Sequence, residues 1–222
     1  MNEVYIEAKG ASYSYKKGGF SLVPGDLSLR LGEIVFLSGK NGSGKSTWMQ
    51  LLTGILKPAE GIVLLDGMDT RDLNLGQIGK KIGYVWQNPQ VQLFADTVWD
   101  EMTFVDGLKK LSGEDSAQKA ETWLCCFDLI DKKDASVFRL SGGEKQRLAL
   151  AVTLSQGARY LMLDEPSKNL DGESIDRLAE LLGMLRDRKG IGMLIVSHDD
   201  AFREKLADRV VEVQEGRIYE SV

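Results

Sequence analysis

The chain has 222 residues, of which 43% are hydrophobic and 27% charged, with a formal net charge of −5. These values suit a globular protein with an ample core, and the acidic balance argues against a broad nucleic-acid footprint. No apolar run approaches the roughly 20 residues that cross a bilayer, so a membrane role has to run through a partner.

The N-terminal residues lack the basic start and apolar centre of a secretion signal. Residues 4–8, 11–15 and 27–31 alternate apolar with polar side chains and predict short antiparallel strands, with residues 61–67 as another member of that sheet. Continuous apolar runs at 34–37, 82–85, 160–163 and 193–196 predict strands of a covered, mostly parallel sheet. Helical patterns at 48–53, 144–156 and 174–188 separate them, and alternation of this kind means an α/β core. Between about 95 and 158 no strand is expected; 97–106, 116–127 and 144–156 predict a compact inserted helical subdomain, with turns at Ser112-Gly113 and 131–134. Cys125 and Cys126 are adjacent within it, a poor arrangement for a structural disulfide, and read as reduced thiols of a cytosolic protein. Residues 209–214 and 216–219 close the chain as two strands around a turn.

Chemistry concentrates after the strand at 34–37, where Gly39-Lys40-Asn41-Gly42-Ser43-Gly44-Lys45-Ser46-Thr47 leads into a helix. Strand, glycine-rich loop and helix in that order make a phosphate cradle. The glycines let backbone N–H groups turn inward, and the helix N-terminus adds positive potential beneath the phosphates. Lys45 can reach the β- and γ-phosphates, and the Ser46 hydroxyl can bind Mg²⁺. The strand at 160–163 delivers Asp164 and Glu165 at its C-terminal end, where ligands of open α/β sheets gather. Asp164 is suited to hold Mg²⁺, and Glu165 to polarise the water that attacks the γ-phosphate. Leu140-Ser141-Gly142-Gly143-Glu144-Lys145-Gln146-Arg147 opens a helix with a second set of anion donors. One γ-phosphate does not need two such sites, so the second is expected to serve a nucleotide held by another copy.

These motifs, in this order, resemble the nucleotide-binding domain of ATP-binding-cassette (ABC) proteins across essentially the whole chain. Residues 39–47 resemble the family's Walker A, 140–147 its signature motif and 161–165 its Walker B. The resemblance implies a single cassette over residues 1–222: a β subdomain with a RecA-like core from 1–94 and 159–222, and a helical subdomain at 95–158. It implies ATP held by Gly39, Asn41, Gly42, Ser43, Gly44, Lys45, Ser46 and Thr47, with Tyr15 stacked on adenine, and Mg²⁺ held by Ser46, Gln87 and Asp164. Catalysis would use Glu165, His198, Lys45 and Gln87. Ser141, Gly142 and Gly143 would bind the partner's ATP, and Asp171 would cross the dimer interface while also capping the following helix. Two departures stand out. Glu144 replaces the commoner Gln, so its charge would repel phosphates unless it points away or pairs with a cation. Asn169 stands where Gly is frequent, and Asn tolerates the left-handed backbone region.

The stretch from Gln87 to Val98, with Gln87-Asn88-Pro89 and Gln92-Leu93-Phe94, is similar to ATPases of energy-coupling-factor importers of vitamins and transition-metal ions; after Phe104 the chain departs from that group. Val91, Leu93 and Phe94 would either form an apolar groove for a membrane subunit's helix or pack the joint between subdomains. The expected partners are a second ABC ATPase subunit, identical or paralogous, and integral membrane subunits, with the chain at the cytoplasmic face of the membrane. The alternatives are an export or lipoprotein-release ATPase, or a soluble ABC ATPase acting on DNA or the ribosome. For the soluble reading, the stretch between Gln87 and Leu140 has room only for the helical subdomain.

Overall fold

In a computed structural model, residues 3–15, 19–109 and 113–220 are described. Two sheets carry the architecture. The first is four-stranded, in the order β2-β1-β4-β5, with β1 Val4–Ser14, β2 Ser21–Arg30, β4 Glu60–Leu65 and β5 Met68–Asp69. The second is six-stranded, in the order β10-β9-β3-β8-β7-β6, with β3 Ile34–Ser38, β6 Ile82–Val85, β7 Tyr160–Asp164, β8 Gly192–Val196, β9 Arg209–Gln214 and β10 Arg217–Glu220. Strands β9, β3, β8, β7 and β6 are parallel, and β10 closes the edge antiparallel to β9.

The first sheet corrects one expectation. Residues 4–8 and 11–15 are not separate strands but one, β1, whose register shifts between Ala8 and Ala11. Gly10 takes a φ of 54° there, and opposite it Gly61 has a φ of 71°; a Cβ on Gly61 would lie 2.2 Å from the Gly10 carbonyl oxygen. The break in alternation at Lys9-Gly10 is therefore a bulge, not a turn.

Helix α1, Lys45–Leu52, lies between the sheets, and its Trp48, Met49, Leu51 and Leu52 are wholly buried among Tyr5, Leu27, Val35, Val63 and Leu194. On the other face of the large sheet, Phe36, Leu161 and Ile195 pack with side chains from helices α3 (Val98–Leu108), α4 (Gly113–Cys126), α5 (Gly142–Ser155), α6 (Gly172–Lys189) and α7 (Asp200–Leu206). Helices α3, α4 and α5 contact one another, and among the described residues no named strand falls between Val98 and Ser155. The turn expected at Ser112-Gly113 begins outside the described residues, with Gly113 as the first residue of α4.

Local chemistry fixes the helix starts. Thr97, Ser141, Asp171 and Asp199 each accept a backbone N–H as the N-cap of α3, α5, α6 and α7, and Gly190 in the left-handed region ends α6. Strand β5, α7 and the short helix α2 (Leu75–Gly79) were not foreseen; α2 opens with an Asn74/Gln77 capping box, a legible start signal on a segment too short for apolar periodicity.

Candidate functional site: the phosphate-loop cleft

The loop that follows β3 is shaped by two glycines, Gly39 and Gly44, with no room for a side chain. Gly39 has a φ of 138°, and a Cβ there would sit 2.2 Å from the Val213 carbonyl oxygen. Gly44 has a φ of 111°, and its Cβ would meet the Phe20 ring at 2.6 Å. Gly44 is also the N-cap of α1 and offers no side-chain acceptor, so the first-turn N–H groups are left for an anion. Inside the curl, the Lys45 ammonium donates to the Gly39 carbonyl at 2.7 Å and the Lys40 carbonyl at 3.1 Å. Burial lowers its pKa, and the carboxylates of Glu165 and Asp164 oppose that shift. The neighbouring Ser43 hydroxyl is buried with no hydrogen-bond partner.

The carboxylates arrive from β7. Asp164 is its last residue, and desolvation followed by the charge of Glu165 raises its pKa. Glu165 stands in the left-handed region at a φ of 50°, and its N–H donates to the Val196 carbonyl at 2.8 Å, which ties the turn to the end of β8. His198 follows β8. Its backbone N–H donates to Glu165 Oε2 at 3.3 Å, and its Nε2 lies 3.2 Å from Asn41 Oδ1.

A cleft of about 480 Å³ gathers Tyr15, Asn41, Gly42, Gly44, Lys45, Ser46, Thr47, Gln87, Asp164, Glu165 and His198. Of the remaining predicted residues, Gly39 and Ser43 build the loop from behind. Tyr13, the neighbour of Tyr15, packs into the β-sheet core and meets the Tyr15 ring edge-on at 5.0 Å. Ser46, Gln87 and Asp164 bring only oxygen donors of hard character, a set that fits Mg²⁺ with phosphate and water completing the shell. Phe20 and Lys168 also line the cleft and were not assigned to it from sequence: Phe20 belongs to no spaced motif, and Lys168 stands in the loop that leads to Asp171.

Ser141, Gly142, Gly143 and Asp171 do not line this cleft. The Ser141 hydroxyl accepts the Glu144 N–H at 3.3 Å, and the Glu144 carboxylate accepts the Ser141 N–H at 2.8 Å. Glu144 also pairs with Lys132, the cation its position called for. The turn adjoins the first turn of α6: a Cβ on Gly143 would lie 3.2 Å from the Ser174 hydroxyl, while the Ser174 N–H donates to the Asp171 N-cap at 2.7 Å. Asn169 takes a φ of 63°, the conformation its side chain was expected to tolerate.

The loop after Gln87 is held from within. Gln92 donates to the Tyr84 carbonyl and accepts the Trp86 N–H, and the buried Glu101 accepts the N–H groups of Phe94 and Ala95 at 2.9 and 2.8 Å. Of the three apolar residues read as groove or joint, Leu93 is buried in the core while Val91 and Phe94 are exposed. The sequence pattern could not separate them, because a 3₁₀ turn at Pro89–Val91 sets their directions.

Comparison with known proteins places this geometry. Residues 23–168 match the family model for ABC transporters. The chain is 34% identical over 96% of its length, and 77% of the relative's, to the energy-coupling factor transporter ATP-binding protein EcfA1 of Oenococcus oeni. Its fold superposes on cbiO1 of Clostridium perfringens, described as part of the ABC transporter complex cbiONQ, with a TM-score of 0.92 and 30% identity over 98% of this chain and 88% of that one. It also superposes on a dimeric, ADP- and Pi-bound post-hydrolysis form of the ATP-binding cassette MJ0796, with a TM-score of 0.82 and 27% identity over 97% and 98% of the two chains. The chain belongs to the ABC transporter family and is an ATP-binding, ATP-hydrolysing cassette of that family.

Proposed function

We propose that this cassette hydrolyses ATP in pockets shared between two protomers arranged head to tail, and that it drives solute uptake of the energy-coupling-factor type. One observation carries the shared pocket: the Ser141 turn has anion donors at a helix N-terminus, yet it lies outside the cleft formed by Lys45, Asp164 and Glu165. A second protomer facing the first would bring its Ser141, Gly142 and Gly143 onto the triphosphate, with Asp171 crossing beside them. The dimeric cassette MJ0796, recorded with ADP and Pi, supports that arrangement.

In this reading the loop amides and Lys45 grip the phosphates, Tyr15 covers the base, and Glu165 accepts the proton of the attacking water while His198, its ring beside Asn41, holds the carboxylate. Ser46, Asp164 and Gln87 would hold Mg²⁺, which when bound neutralises phosphate charge. Closure by the partner excludes water and adds donors where negative charge collects. Residues 95–158 act as a helical subdomain whose movement is passed through Gln87 to membrane subunits. The likeness to EcfA1 and to cbiO1 favours uptake over export. Among the described residues no helix is long and apolar enough to cross a membrane, so the cassette would sit peripherally, at the cytoplasmic face, through its partners.

The test is turnover per chain against protein concentration at saturating Mg·ATP, with sedimentation in parallel. A shared pocket gives a rate that rises with concentration and an ATP-dependent dimer; equal rates at high dilution remove it. Co-purification from detergent with a membrane subunit tests the transport assignment.

A further inference from the structure

The turn that would meet the partner's γ-phosphate contains a charge conflict, and the fold supplies its remedy. A helix N-terminus presents roughly half a positive charge to an incoming anion. In α5 the third helical residue is Glu144, whose carboxylate binds the Ser141 N–H at 2.8 Å and so stands at the same terminus. Left alone, a full negative charge there reverses the sign of the potential. Lys132, in the 3₁₀ turn Ile130–Lys132, pairs with that carboxylate. The other nearby lysine is committed elsewhere: Lys145 donates to the Phe138 carbonyl at 3.2 Å. Desolvation pushes the Glu144 pKa up, but its hydrogen bonds to Lys132 and Ser141 together outweigh this and leave it lowered.

Resting on the shared-pocket reading above, we propose that Lys132 is a positioning and charge-compensating residue for the Ser141 turn, making a Glu-bearing signature competent to receive a partner's triphosphate. The capping box orders the turn: the Glu144 carboxylate occupies the Ser141 N–H, and the Ser141 hydroxyl accepts the Glu144 N–H. Lys132 cancels the charge that this ordering brings with it. Its side chain is 47% exposed, so its loss should leave the fold intact.

The test is a double-mutant cycle read in ATP-driven dimerisation and in the protein concentration giving half-maximal turnover. Lys132→Met leaves Glu144 uncompensated and should raise that concentration about fivefold at low salt, with the deficit shrinking as ionic strength rises. Glu144→Gln keeps the capping hydrogen bond but leaves the Lys132 charge unopposed, and should lower that concentration at low salt. The pair Lys132→Met with Glu144→Gln should recover parental behaviour, which loss of a merely structural strut would not do. An unaffected Lys132→Met, or a double variant as impaired as Lys132→Met alone, overturns the inference while leaving the shared pocket standing. Parental turnover that ignores protein concentration removes the shared pocket and this inference with it.

Discussion

His198 and Glu165 meet twice: the histidine N–H donates to one carboxylate oxygen at 3.3 Å, and its ring Nε2 lies 3.4 Å from the other. Glu165 pays for this placement with a left-handed backbone, φ 50°, that β-strand continuation would never require. In the mechanism proposed above this carboxylate is the base. Replacing Glu165 by Gln keeps the size and the His198 contact but removes proton acceptance. Turnover should fall roughly a hundredfold to ten-thousandfold while ATP affinity is retained. Single-turnover hydrolysis and nucleotide binding, measured together, check it; a Glu165→Gln chain with parental turnover removes the base.

Asp164 makes the opposite demand on stability. Its folded-state pKa is raised by desolvation and by the charge of Glu165. The native chain therefore binds this proton more tightly than the unfolded chain does. The resulting stabilisation is fully present below the unfolded carboxyl value, near pH 4, and is lost as pH rises through the folded value. At pH 7 the ionised group is a cost, moderated because it is only partly buried. Asp164→Asn should raise the melting temperature of the nucleotide-free protein by about 2–4 °C at pH 7, and the gain should vanish below about pH 4. Its Mg²⁺-dependent turnover should collapse, since the anionic oxygen is gone. Melting curves at the two pH values decide the first point, and the opposite pH trend would refute it.

Much of this was legible because it is local. A run of buried apolar residues followed by Gly39 to Thr47, or by Asp164-Glu165, marks a strand end, and strand ends in a parallel sheet lie side by side. The Asn169 backbone and the pairing of Glu144 followed from conformational preference and from charge. What stayed hidden depended on distant chain. The bulge at Gly10 is set by Gly61, and the burial of Leu93 beside exposed Phe94 is set by a 3₁₀ turn and by the Glu101 carboxylate. Phe20, just before β2, sits in no motif, and Lys168 lies in the loop between β7 and Asp171; the fold brings both to the cleft beside the start of α1.

Gly39 couples the nucleotide loop to the C-terminal strands. A Cβ there would press on the Val213 carbonyl of β9 at 2.2 Å, a backbone atom that cannot swing aside, and a φ of 138° is strained for any L side chain. Gly39→Ala should cost about 1–3 kcal/mol of unfolding free energy. The displaced loop should also lose ATP, because the carbonyl that holds Lys45 at 2.7 Å belongs to Gly39. Denaturant unfolding and nucleotide titration check both effects. Parental stability would mean that the loop relaxes freely.

Tyr15 offers the mildest test of the cleft. The residue is 39% exposed, its ring is braced edge-on by Tyr13, and it lines the same cavity as Lys45 and Ser46. A braced aromatic face suits stacking on a purine, for which the hydroxyl is unnecessary, so Tyr15→Phe should bind ATP as the parent does. Tyr15→Ala removes the face and should weaken ATP by about 3- to 10-fold, the equivalent of roughly 0.5–1.5 kcal/mol of aromatic contact. Because stacking acts on ground and transition states alike, the loss should appear in KM with kcat little changed. If Tyr15→Ala binds ATP as tightly as Tyr15→Phe does, the base lies elsewhere, and Phe20 becomes the aromatic to replace.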